Sequence, residues 1–176
     1  MRTQNQKMEV VGVNENEKIF TLLKAEKLLR ETVTLIDNIY LELDMKRKVE
    51  KDGKLVFIEL DKEEEQMRIQ LKNLSKLLET ALTALEKINR NFNDYIIIDN
   101  RLHKIISGFI NPIVTFSISE NEYYYIEFDS DDSIKLVVKL LPEQVEEAIR
   151  VAKSNSFLEI DPKKYQIILS HWPFSS

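Results

Sequence analysis

Between residues 63 and 92, apolar side chains recur at alternating spacings of four and three: Met67, Leu71, Leu74, Leu78, Ala81, Leu85, Ile88 and Phe92. That rhythm is the a/d signature of a helix with one long seam, and the positions between are mostly charged or amide. Asp61 stands where an N-cap belongs, and Glu63, Glu64 and Glu65 suit the positive end of the helix dipole. An earlier stretch, 17–47, repeats the pattern with Leu22, Ala25, Leu29, Ile36, Ile39 and Leu43, Thr32 being its polar exception. Leu28, Val33, Leu35 and Tyr40 widen that stripe, which predicts burial against more than one element. Together the two segments predict an antiparallel, coiled-coil-like helical hairpin about 40 Å long, from a rise of ~1.5 Å per residue. An intramolecular core is the preferred use of the seam, and a homodimer paired through it is the open alternative.

The connector reads "KRKVEKDGKLVFIEL". Asp52-Gly53 suits a type I′ turn, which needs positive φ at both positions, so a short β-arm is expected from about Lys48 to Leu60. Val56, Ile58 and Leu60 then share one side and need cover. Lys46, Arg47, Lys48, Lys51 and Lys54 make the arm basic, although Asp44, Glu50 and Asp52 dilute that charge.

Residues 93–111 carry two patterns. Tyr95, Ile98, Leu102, Ile105 and Phe109 follow helical spacing, with Asn93 or Asp94 as cap and Gly108 as stop, and a third helix is expected. The β-branched run "YIIID" is the competing signal for a buried strand.

Alternation then takes over. Val114, Phe116 and Ile118 share a face, as do Tyr124, Ile126 and Phe128, and Ile134, Leu136, Val138 and Leu140. The expected register pairs Phe116 with Ile126 and Ile126 with Leu136, gathering all three sets on one side of an antiparallel meander. Tyr123 and Tyr125 then lie on the opposite face with Ser117, Ser119, Val137 and Lys139, and Glu127 sits opposite Lys135. A helix opening at Pro142 follows, with Val145, Ala148, Ile149 and Ala152 inward, and then a final strand in "YQIILS". Trp172 and Phe174 in the last residues are expected to fold back on the core.

The expected fold is α+β: a polar N-terminal segment at 1–16, the helical hairpin at 17–92 with its basic arm at 46–60, and an α+β module at 93–176. No apolar run reaches the ~20 residues that span a bilayer, and residues 1–10 lack the apolar stretch of a secretory signal. The absence of cysteine removes disulfides, thiolate metal sites and thiol nucleophiles, and makes the cytoplasm the default location. Isoleucine, lysine and asparagine supply 50 residues, a bias toward A- and T-rich codons that suggests a low-GC bacterium or its phage.

Charge changes the picture more. Residues 1–104 carry 19 basic and 19 acidic groups, whereas 105–176 carry 6 and 11, so the whole net charge of −5 lies in the second part. That half would repel a phosphate backbone, so nucleic-acid binding is disfavoured there.

Little points to chemistry. Three glycines build no phosphate loop, and His103 and His171 stand 68 residues apart with no third ligand at sequence-adjacent spacing. Asp129, Asp131 and Asp132 begin like a calcium loop, but Ile134 stands at the turn-glycine position and Leu140 at that of the bidentate glutamate. Solvated turn aspartates are therefore expected, with no metal, no cofactor and no catalytic residue. The favoured function is a non-enzymatic, cytoplasmic protein-binding module. Its contacts would come from Tyr123, Tyr125, Glu127, Asp129, Asp131 and Asp132, and its partner would be a protein of basic character. Immunity proteins, antitoxins and phage-encoded inhibitors share this size and acidity, a parallel of type alone. The alternatives are an assembly protein that homo-oligomerises through its seam, and a nucleic-acid regulator that uses the basic arm.

Overall fold

The computed structural model describes residues 3–108 and 110–170, with side chains from Glu15 onward, except Phe109. Two compact units divide the chain, Met1–Asn91 and Phe92–Ser176. The expected roles of Phe109, His171, Trp172 and Phe174 lie outside the described residues.

The first unit is an antiparallel pair of helices, α1 (Thr3–Lys46) and α2 (Lys62–Asn89), joined by a two-stranded ribbon of β1 (Lys48–Lys51) and β2 (Lys54–Phe57). Helix α1 starts at Thr3 rather than near residue 17. No proline interrupts residues 1–16, and their glutamine, lysine, methionine and glutamate carry little helical penalty. Helix α2 starts where its cap dictates: the Asp61 carboxylate accepts a 2.8 Å bond from the Glu64 amide. Asp52 and Gly53 take φ of 51° and 71°, the left-handed pair that turns the ribbon through two residues.

The second unit is a six-stranded antiparallel sheet in sequential order. Its strands are β3 (Tyr95–Ile98), β4 (Arg101–Ser107), β5 (Ile113–Ser117), β6 (Glu122–Phe128), β7 (Ile134–Leu140) and β8 (Gln166–Ser170). Helix α3 (Pro142–Lys153) is inserted between β7 and β8. The helix expected at 93–111 is instead the β3–β4 hairpin. Asp99 and Asn100 adopt φ of 48° and 59° between paired Ile98 and Arg101, which is again a two-residue left-handed turn. The β-branched run outweighs the helical spacing because Ile98, with Ile96 beside it, packs into the cluster of Ile113, Tyr124, Ile126 and Val137.

The meander forms, but in a different register. Thr115 pairs with Tyr124 and Phe116 with Tyr123, because residues 118–121 make a four-residue turn with Asn121 at φ 56°. This is an odd slip of three from the expected pairing, and an odd slip exchanges the two faces of a strand. Across β6 and β7 the expected Phe128–Ile134 pair is present, but a bulge at Lys135 then pairs Glu127 with Leu136 and Tyr125 with Val138.

Both faces of the sheet are consequently apolar. On one, Val114, Tyr125, Leu136, Val138 and Leu140 pack with Ala148, Val151 and Ala152 of α3 and with Leu158. The other gathers Ile98, Ile113, Tyr124, Ile126 and Val137. Tyr125, expected on a binding face, is 0% exposed and packs in the cluster that α3 covers. Its hydroxyl donates to Glu127 at 2.8 Å and accepts the Leu158 amide at 2.9 Å.

Tyr125→Phe should therefore cost about 1–3 kcal/mol by stranding the Leu158 N–H and the Glu127 carboxylate. Tyr125→Ser adds a cavity and should cost roughly 3–5 kcal/mol. Urea unfolding of both variants checks the order, which reverses if the ring rather than the hydroxyl is dispensable.

Candidate interaction surface

The helical hairpin is built on shared seam positions: Leu22, Leu29, Ile36 and Leu43 on α1, with Leu71, Leu78 and Leu85 on α2, all half-buried or buried. A second residue per heptad completes each interface, and there are two ways to choose it. Four residues on lies about 40° ahead on the helix, and three residues on lies about 60° behind. The spacing in the sequence suggests the second option, with Ala25 and Ile39 on α1 and Leu74, Ala81 and Ile88 on α2, and a widened stripe of Leu28, Val33, Leu35 and Tyr40, of which Val33 and Tyr40 are covered and Leu28 and Leu35 exposed. The hairpin buries the first: Glu26, Val33, Tyr40 and Arg47 on α1 face Ser75, Leu82 and Asn89 on α2.

Hydrogen bonding explains this choice. Ser75 donates to Asp37 at 2.6 Å. Asn89 donates to Glu26 at 2.6 Å and to the Leu22 carbonyl at 3.1 Å, and Arg68 reaches Tyr40 at 3.4 Å. Arg68 also pairs with Glu65 at 2.8 Å, and that bond raises its pKa above the ordinary arginine value. These donors find acceptors on the other helix or in the adjacent turn, while Asn89 Oδ1 is buried without a partner. Turned the other way, the pair would give up these bonds and return the groups to water.

The consequence is a hairpin with two unlike sides. Except at Leu22, which Leu23 follows, the residue after each shared position is charged: Arg30, Asp37 and Asp44 on α1, Lys72, Glu79 and Glu86 on α2. Arg30 bridges there to Glu26 at 3.0 Å and to Glu86 at 2.7 Å. On the opposite side lie the exposed Leu28, Leu35 and Ile39 of α1 and the exposed Met67, Leu74, Leu77 and Ile88 of α2. Antiparallel helices turn in opposite senses when viewed from one end, so equal angular offsets bring both stripes to the same side. Thr32, Ala81 and Ala84 lie between these large residues, and Ala25 sits half-buried at one end. The Thr32 hydroxyl is satisfied within its own helix by the Leu28 carbonyl at 2.8 Å, which leaves its methyl on the face. From Ala25 to Ile39 and from Leu74 to Ile88, none of the residues at these positions is charged.

Of the seam residues read from sequence, Leu71, Leu78 and Leu85 thus face the partner helix, while Met67, Leu74 and Ile88 face outward. Leu77 and Ala84 belong to the outward face and were missed. Their signal was a second three-four series, 67, 70, 74, 77, 81, 84 and 88, beside the first.

The other expected contacts are dispersed. Tyr125 and Glu127 are buried, and Tyr123 is half-buried, with its ring 4.9 Å from that of Phe116. Lys135 reaches Glu127 at 3.7 Å across the bulge. Asp129, Asp131 and Asp132 share the β6–β7 turn, where Asp131 accepts from the Ser133 amide at 3.2 Å and hydroxyl at 2.6 Å. Within the basic arm, Lys46 pairs with Glu64 at 2.7 Å, Lys48 with Asp44 at 2.9 Å and Arg47 with Asp44 at 3.8 Å. The Lys48 bond holds Asp44 below the usual carboxylate range. Lys51 and Lys54 face each other beside the turn. Val56 and Ile58 of the arm remain exposed, although cover was expected for them.

His103 lies in the sheet at 3% exposure, its Nδ1 2.9 Å from the Thr115 hydroxyl and its ring 5.3 Å from that of Tyr124. Tyr124 donates to Glu120 at 2.6 Å and Glu122 at 3.3 Å, and Arg101 pairs with Glu120. Among the described residues no helix is long and apolar enough to cross a membrane, and no three His, Asp or Glu side chains converge as a metal site. The chain matches no protein-family model, no curated protein and no solved structure.

Burial depresses the pKa of His103. A depressed folded-state value means stability that is present above the unfolded value, ~6.5, and lost as pH falls toward the folded value. Unfolding free energy should therefore drop between pH 7.5 and 5.5, and His103→Leu should flatten that slope while shifting the whole curve by a constant. Urea titrations at the two pH values provide the check. An unchanged slope in the variant would assign it to other groups.

Proposed function

We propose that this protein acts non-enzymatically, by binding protein, and that the uncharged side of its helical hairpin is the contact surface. The observation that supports this is the continuous apolar face carried by both helices. Large apolar residues scattered singly over a surface need no explanation, but a contiguous patch bordered by polar residues marks an association site. Between Leu74 and Ile88 and between Ala25 and Ile39 this face has the composition of an interface centre: leucine, isoleucine and alanine, no charge, and its one hydroxyl already satisfied. The reading expected from sequence placed the contact on the sheet around Tyr123 and Tyr125. The burial of Tyr125 beneath α3 moves it to the hairpin.

Two other features fit less well. Three of the five basic residues of the arm are paired with acidic groups of the same unit, which leaves a weak cationic surface for nucleic acid. The Asp131 and Asp132 turn offers a basic partner a second, electrostatic contact, which would act on encounter rate more than on strength. A cytoplasmic location accompanies this proposal and rests on the cysteine-free sequence.

Association through an uncharged face should be nearly independent of salt. Tagged protein should retain its protein partner equally at about 50 mM and about 500 mM salt after nuclease treatment. Leu35→Glu/Leu77→Glu should abolish retention with helix content unchanged by circular dichroism. Retention that the variant preserves, or that salt removes, would transfer the contact to the acidic turn.

A further inference from the structure

We infer that the occupant of this face is a second copy of the chain, seated face to face so that two hairpins form a four-helix bundle about a two-fold axis. This rests on the binding reading above and names its partner.

The first argument is energetic. Within one chain the helices bury the more polar choice of companion residues and turn the more apolar choice outward. Leaving Leu28, Leu35, Ile39, Leu74, Leu77 and Ile88 exposed forfeits the hydrophobic gain that covering them would bring. The outward stripe recovers that gain where a second surface buries it. Hairpins carrying apolar residues on two adjacent faces are the building blocks of four-helix bundles.

The second argument is size. From Leu74 to Ile88 the uncharged stripe is about 21 Å long at ~1.5 Å per residue, and two packed helices make it about 20 Å wide. That is on the order of 400 Å² of flat area for each copy before the relief of the side chains is counted, about half the ~800 Å² per partner of a standard interface. The charge supports the same occupant. A chain of net charge −5 associates with itself best where neither copy brings a charge.

The third argument is shape. The Asp37–Ser75 and Glu26–Asn89 contacts set the levels of the two helices. They place Thr32 beside Ala81, Leu28 beside Ala84 and Leu35 beside Leu77. The small Thr32–Ala81 level lies midway along the face. A two-fold axis crossing there sets Ala84 against Leu77 of the second copy and Ala25 against Ile39 of the second copy. Small meets large at these two pairs, large meets large where Leu74 faces Ile88 and Leu28 faces Leu35 of the second copy, and the two small midpoints allow close approach at the axis.

The test is the mass of the full chain in solution at about 10–100 µM, by light scattering and sedimentation. Wild type should run at twice 20.7 kDa. Leu35→Glu/Leu77→Glu should run as the monomer, with its dissociation constant raised at least ~100-fold. These side chains are 64% and 69% exposed, so the charges do not enter the intrachain seam. Leu41→Glu, on another side of α1, should remain dimeric. A monomeric wild type overturns the second copy, and the protein-binding reading then survives only if the same variant still blocks retention of a different protein. A dimer that tolerates both glutamates overturns this face. The cysteine-free sequence allows a further check that does not depend on charge. Thr32→Cys should form a disulfide-linked dimer under mild oxidation and Leu41→Cys should not; absence of the Thr32→Cys product counts against the two-fold arrangement.

Discussion

Two polar pairs decide how the first half of this molecule is arranged. Asp37 with Ser75 and Glu26 with Asn89 sit at the junction of helices whose shared leucines would accept either rotation. A half-buried carboxylate at such a junction needs a donor in place of the water it has lost, and Ser75 and Asn89 supply it. Apolar residues turned outward lose the gain from burial, and recover it wherever another surface covers them. In the observed rotation polar pairs take one side of the seam, and the apolar residues take the positions that remain. The same logic operates in coiled coils, where one buried polar residue selects register and partner at some expense of stability. Here the selected partner is the chain's own second helix.

In the sheet, turns and bulges take that deciding role. Asn121 in the left-handed region closes a four-residue loop, and the bulge at Lys135 adds one residue to β7. Each device moves a strand by an odd number of positions and so changes which side chains share a face. The result is a sheet with apolar residues on both sides, and its polar groups must be matched internally. The Tyr125 hydroxyl does this twice, toward Glu127 and toward the Leu158 amide. A tyrosine whose hydroxyl both donates and accepts fits a core more readily than its composition suggests. Burial also raises its pKa above the ordinary tyrosine value, keeping the proton that the Glu127 bond requires.

What could be read from the sequence follows from where each signal is stored. Helices α2 and α3, the Asp61 cap, the Asp52-Gly53 turn and the existence of strands β5 to β8 are local matters of propensity and period, and all were legible. Register was not, because it depends on turn length, and Ser119, Glu120 and Asn121 give no sharp preference between loops of three and four residues. The β3–β4 hairpin was half-legible. Asp99-Asn100 is a turn signal of the same kind as Asp52-Gly53, masked by the helical spacing of Tyr95, Ile98 and Leu102. In the hairpin the shared leucines were found, but their companions were chosen by hydrophobicity. That choice selected the face turned away from the partner helix, since a seam is ranked by how its polar members pair, a long-range property. The apolar face was therefore present in the sequence reading under another name.

The −5 falls wholly within residues 105–176, while the residues through 104 are neutral in sum, and between Ala25 and Ile39 and between Leu74 and Ile88 the apolar stripe carries no charge. A protein that bound through its acidic segment would have affinity and encounter rate both tied to ionic strength. A contact made through an apolar stripe inside a neutral segment, as proposed, would lack that coupling and depend on buried area and shape. Acidity and tyrosines draw attention to the second unit, where the tyrosines support the core. The surface suited to a partner is made of ordinary leucines, and only the pairing of polar groups elsewhere on the same helices reveals that they point outward.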